Sequence, residues 1–304
     1  MSDAGRQDLA LAYRLLHPPL LLLSTALYGL GAAIAKYLGK SATAQQLLTG
    51  LIIVLSIQIS AHLLNNFFEQ KGDRLQPGRK MPLPDDAGPS NISLRQVFYL
   101  AAAALVLGAS LTAFLLFNGR LSLLPAIILG AGTLLAFAYS APPIKLRTTG
   151  FGELAVAFLL AAGLPAFSFS LITAELHRLI VMATVPIYGV LFAVQIALSL
   201  AHYVERARAG HRDLLVRLGW KQAMRLHDVS LLLGLFTLAL ALVTGLPRQV
   251  AWGSFLITPL ALFQIWYLNR IRAGAPFRWR LLTYNSYAMV GLMAYLELVG
   301  FLLS

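Results

Sequence analysis

The chain has 304 residues, 58% of them apolar and 12% charged, with 24 Lys and Arg against 12 Asp and Glu for a formal charge of +12. Soluble domains carry about a quarter charged residues, so a water-soluble globule is excluded, and the mean hydropathy of +0.73 agrees. A basic balance points to nucleic acid only where it faces water; here the surface faces membrane lipid, so no nucleic-acid partner is expected, and without Cys any metal must be held by oxygen or imidazole.

A helix needs about 20 residues to cross the hydrocarbon core. The intervals between charged residues supply nine: 15–35, 41–68, 96–119, 121–144, 154–174, 179–204, 229–247 and 249–269, then 281–304, which holds Glu297 as its one carboxylate. The fold expected is therefore all-α, a polytopic membrane protein of nine transmembrane helices forming a single domain over 1–304. The polar head 1–14 precedes a run long enough to span, so no cleavable signal peptide is expected. His17-Pro18-Pro19 reads as a helix start. The stretch 69–95, with Pro77, Gly78, Pro82, Pro84, Gly88 and Pro89, reads as an extended cytoplasmic lid loop, and 205–228 as a second cytoplasmic loop. Turn signals at Asn118-Gly119 and Gly245-Leu246-Pro247 predict tight hairpins between the third and fourth and the seventh and eighth spans.

Lys and Arg are retained in cytoplasmic loops. With a cytoplasmic N-terminus, all of them except Lys36, Lys40, Arg120, Arg178 and Arg248 fall inside. Dropping one span would invert every later loop, so the asymmetry supports the odd count. The localisation expected is a bacterial-type cytoplasmic membrane.

Three polar islands enter the inner ends of the spans. Asn65, Glu69 and Asp73 recur every four residues, with Asn66 beside them, and so share a helical face. Two carboxylates and two amides there suit a hard divalent cation, although a solvated helix end would look the same. Gln195, Ser199, His202 and Arg206 form a second stripe at steps of four, three and four; interhelical hydrogen bonding would also explain it. Between the fourth and fifth spans, residues 139–153 carry Pro142 and Pro143, which stop a helix, Lys145 and Arg147, which could clamp an anion, and Gly150 and Gly152, which permit a tight return. His62 and Glu297 read as packed, hydrogen-bonded residues.

Taken together, these islands resemble the UbiA superfamily of intramembrane prenyltransferases, most closely the branch that prenylates dihydroxynaphthoate on the way to menaquinone. The fragments carrying the resemblance are NNFFEQKGD at 65–73, similar to NDxxDxxxD; RKMPLPDDAGPSNISLRQ after it; APPIKLRTTGFGELAV, similar to PPxxLKYRGLGELxV; and AGHRDLLVRLG at 209–219. The resemblance implies a UbiA-like bundle of nine helices. It also implies a polyprenyl diphosphate donor and an aromatic acceptor, with Mg²⁺ held by acidic motifs after the second and sixth helices.

The motifs are altered. Asn66 and Glu69 stand where the family has Asp, and alignment back from Val216-Arg217-Leu218-Gly219 puts His202 and Arg206 at the two second-motif aspartates, so the motif is degenerate. Glu205 lies one residue, about 100°, off that face. The altered site implied has Glu69 and Asp73 as catalytic and metal-holding residues, with Asn65, Asn66, Lys145, Arg147 and Arg206 binding the diphosphate. Ser199, His202 and Glu205 mark the second motif. Arginine suits the task because its fork of donors matches phosphate and stays ionised. The alternative is a non-catalytic UbiA-like paralogue that binds quinone or prenyl lipid as a subunit or assembly factor of a membrane complex. A secondary transporter ranks last, because the polar stripes sit at the inner ends and not at the midplane.

Overall fold

A computed structural model describes residues 16–75, 93–201, 203–208 and 213–304, with the side chains of 69–75, 205, 206 and 208 left out. Among the described residues, nine helices are long and apolar enough to cross a membrane: α1 Pro18–Tyr37, α2 Ala44–Leu75, α3 Leu94–Phe117, α4 Leu123–Ser140, α5 Gly152–Thr173, α6 Arg178–Leu200, α7 Trp220–Thr244, α8 Arg248–Arg272 and α9 Trp279–Leu303. The chain is an integral multi-pass membrane protein. Short helices at Tyr203–Arg208 and Leu214–Leu218 join α6 to α7.

Local chemistry explains most helix ends. Ser93 caps α3 reciprocally: its hydroxyl accepts from the Gln96 N–H at 3.2 Å, while the Gln96 amide oxygen accepts from the Ser93 N–H at 2.7 Å. α4 stops at Ser140, before Pro142 and Pro143. The seventh helix begins nine residues earlier than the charge-free run suggested. Lys221, Arg225 and Asp228 occupy its first turns, where polar residues can reach water or one another. Much of the loop expected at 205–228 is thus helical.

The expected hairpin between α3 and α4 does not form as a packed pair. The chain turns tightly at Gly119, but both helices pack on α2, and α4 also on α5. α7 meets α8 only modestly; its principal neighbour is α6, while α8 packs mainly on α9.

Lipid gives two helices no hydrophobic reason to associate, so close packing through small residues does the work. On α6, a Cβ at Gly189 would lie 2.8 Å from the Cα of Gly234 on α7. A Cβ at Gly31 on α1 would overlap the Pro165 carbonyl on α5. Pro165 also has no N–H to give the preceding turn, and α5 accommodates it through the π-helical segment Leu159–Gly163.

A buried polar chain ties α7, α8 and α9 together. The Arg272 guanidinium donates to Asp228 at 2.8 Å, and the other Asp228 oxygen lies 3.0 Å from His227 Nδ1. His227 Nε2 accepts from the Gln264 amide at 3.0 Å, and the Gln264 oxygen accepts from Asn285 at 2.7 Å. Glu297 is fully buried, with the Ser254 hydroxyl 3.5 Å from one carboxyl oxygen and the other oxygen without a partner among the described residues.

Gly31→Ala should therefore lower the unfolding free energy by about 1–3 kcal/mol through overpacking. Gly130→Ala, where a Cβ meets nothing within 4 Å, should stabilise α4 by a few tenths of a kcal/mol to about 1 kcal/mol. Thermal unfolding in detergent measures both.

Candidate functional site

An apolar cavity of about 320 Å³ lies between α1, α2, α4, α5, α6 and α9. Its walls include Leu20, Ile57, Leu129, Leu160, Phe167 and Leu191, and the π-helical segment of α5 forms part of one side, a common position for π-bulges at functional sites. At one end the lining turns polar, with His17, Gln58, His62, Asn65, Arg147 and Gln195.

A polar side pocket of about 140 Å³ adjoins it and shares Tyr139, Arg147, Val156, Gln195 and Leu198 as common walls. Arg147 thus stands where apolar and polar spaces meet. Its loop is set by the fold-back after α4: residues Leu146–Thr148 make a 3₁₀ turn, and Gly152 comes so close that a Cβ would lie 2.8 Å from the Arg147 Cα. Gly150, at φ +90°, lets the loop pass over Arg217.

The sequence-derived residues separate into groups. Asn65 is buried and lines the cavity. Asn66 turns back onto its own helix, its amide donating to the His62 carbonyl at 3.0 Å. Lys145 is half-buried in a left-handed backbone conformation and lines neither space. Ser199 is buried and faces the side pocket. The side chains of Glu69, Asp73, Glu205 and Arg206, and His202 entirely, lie outside the described residues.

Sequence reasoning passed over Glu153, Gln58 and the two histidines. Glu153 served only as the boundary of a charge-free run, yet it is buried in the side pocket, where its carboxylate accepts from the Ser199 hydroxyl at 3.4 Å. A carboxylate from α5 therefore reaches the second-motif face of α6. Gln58, His62, Asn65 and Glu69 are spaced by four, three and four, the same steps as Gln195, Ser199, His202 and Arg206. That repeat was the available signal, and it shows that the polar stripe of α2 begins well inside the span.

Among the described residues, no group of three or more His, Cys, Asp or Glu could hold a metal ion. The described part of the site supplies one cation, Arg147, at the junction of the two spaces, with neutral polar groups on the cavity side and the Glu153 carboxylate in the side pocket. It can hold an anionic head against Arg147 while an apolar chain fills the larger cavity.

The UbiA prenyltransferase family matches residues 22–287. No curated protein gives a significant match. Among solved structures, a UbiA homologue from Archaeoglobus fulgidus bound to GPP and Mg²⁺ superposes with a TM-score of 0.68 at 18% identity, over 95% of this chain and 98% of that one. An apo UbiA homologue from Aeropyrum pernix K1 gives 0.66 at 17% identity, over 92% and 97%. A digeranylgeranylglyceryl phosphate synthase gives 0.63 at 15%, over 97% of each. The fold these structures share with this chain is all-helical, and the nine candidate spans among the described residues are those expected from the charge intervals.

The Gly152 contact gives a test of the loop. Gly152→Ala has to push the backbone that carries Arg147, so unfolding in detergent should show a loss of about 1–3 kcal/mol.

Proposed function

Because the chain belongs to the UbiA prenyltransferase family, we propose that it moves an isoprenoid chain from a polyprenyl diphosphate to an aromatic or quinone-precursor acceptor of the menaquinone type, using an altered metal site. The observation that carries this reading is Arg147, an ionised group at the junction of an apolar cavity and a polar pocket inside a bundle of membrane helices.

In this reading the prenyl chain lies in the cavity, its diphosphate at Arg147, with Asn65 and Arg206 as further partners; Asn66, bonded to its own helix, and Lys145, which lines neither space, are not among them. Glu69 and Asp73 would hold Mg²⁺, which when bound offsets the charge of the diphosphate. As the allylic C–O bond breaks, negative charge grows on the leaving diphosphate, and a preorganised guanidinium in a water-poor site stabilises it. The apolar walls keep water from the allylic cation, so a carbon of the acceptor ring bonds to it in place of water, and the ring then loses the proton from that carbon to the released diphosphate.

His202 and Arg206 at second-motif positions favour a second reading, a non-catalytic paralogue that binds quinone or prenyl lipid within a membrane complex. Transfer from GPP to dihydroxynaphthoate by purified protein in lipid, with Mg²⁺, tests the first reading; no transfer with this or other hydroxylated acceptors overturns it. Arg147→Gln should lower kcat/KM by about 10²–10³-fold. Combining Asn66→Asp, His202→Asp and Arg206→Asp distinguishes a tuned cationic pocket, which loses activity, from a merely degenerate one, which gains it.

A further inference from the structure

The polar end of the main cavity contains three side chains that the proposed diphosphate chemistry does not use. Gln58 and His62 stand one turn apart on α2, and His17 comes from the entry to α1; all three line the cavity. The rings of His17 and His62 lie 5.3 Å apart, inclined by 51°.

Two features separate this group from ordinary interhelical packing. His17 adopts a left-handed backbone conformation, φ 48° and ψ 62°, which is unfavourable for a residue with a Cβ, and Pro18 and Pro19 follow it into the helix. Strain of this kind persists where the surrounding structure requires it and concentrates at binding sites. The second feature is incomplete hydrogen bonding. The Gln58 amide nitrogen is 3.5 Å from His62 Nε2, at the limit of a useful contact, and the Gln58 amide oxygen is buried with no partner among the described residues.

The same residue types elsewhere in the protein behave differently. Between α7 and α8, His227 and Gln264 meet at 3.0 Å, and both are also bonded to Asp228, Asn285 or Ser286. A His–Gln pair in this fold can therefore close on itself, and the one at the cavity does not. Buried groups left unpaired are costly and usually have a partner supplied from elsewhere.

We propose that His17, Gln58 and His62 are the acceptor-recognition group and that they select a flat ring bearing hydroxyl or carbonyl oxygens, a conclusion that rests on the prenyl-transfer reading above. An aromatic ring fits against the two imidazoles. A ring hydroxyl donates to the Gln58 oxygen, and a second ring oxygen bonds to an imidazole nitrogen. The trio includes no guanidinium or ammonium, so a phosphate-headed lipid alcohol gains nothing there; Arg147 is the anion partner of this cavity. The three residues determine specificity and hold the ring in place.

The test reads binding without turnover, so it is independent of whether transfer occurs. Purified protein in lipid nanodiscs is titrated calorimetrically with 1,4-dihydroxynaphthalene, and separately with GPP. Loss of one or two hydrogen bonds corresponds to about tenfold in affinity, so His62→Phe and Gln58→Leu should each weaken ring binding by about tenfold while GPP binding holds. His62→Gln, which keeps a donor and an acceptor, should recover part of the loss. Retained GPP binding also shows that the variants fold. Ring affinity equal to wild type in both variants, no ring binding by wild type, or equal loss of both ligands overturns the proposal. So does displacement of the ring by lysophosphatidic acid that depends on the same residues. If ring binding behaves as expected and no acceptor is prenylated, the transfer reading fails and the ring site stands.

Discussion

Hydrocarbon offers a peptide group no hydrogen-bonding partner, and this requirement shapes the whole molecule. Spanning segments must satisfy their own backbone, which forces helices, and any polar side chain within them must find a partner or a cavity. The chain meets the first demand with nine helices among the described residues. It meets the second in two ways, one in each half of the bundle.

In the C-terminal half, five polar side chains close on one another. Arg272, Asp228, His227, Gln264 and Asn285 form a continuous chain of hydrogen bonds across α7, α8 and α9. Around α2 and α6 the polar stripes instead border open volume. Buried hydrogen-bonded networks rigidify a core, so the C-terminal half acts as a fixed wall. The open half, lined by Arg147, Asn65, Gln58 and the two histidines, is where affinity for an outside molecule remains. The π-helical turn before Pro165 belongs to this open side, where it forms part of the cavity wall and makes room for a proline pressed against Gly31.

Much of the site was legible, because the inner-end stripes have a helical period and the loop after α4 concentrates Pro, Gly, Lys and Arg. The spacing Asn65 to Asp73 and Gln195 to Arg206 identified the two helices that carry the polar groups. Spacing could not separate Asn65, which faces the cavity, from Asn66, which bonds its own helix, since adjacent residues differ by only about 100° and the facing neighbours decide which one is enclosed. Nor could it assign Glu153, whose significance depends on α5 lying against Ser199 of α6, or His17, whose neighbour His62 is 45 positions away in the chain.

The sequence by itself determined the environment, the number of spans, the Lys and Arg asymmetry between their two ends and the family resemblance, because hydrophobic length and charge placement are local properties read against a slab of fixed thickness. Helix pairing was beyond it. The short turn at Asn118-Gly119 suggested that α3 and α4 pack together, yet both lie on α2, since in lipid the partner is chosen by which surfaces interlock and not by the length of the connection. The tertiary structure alone decided which polar residues close on each other and which are left facing a cavity, because that depends on side chains brought together from helices distant in sequence.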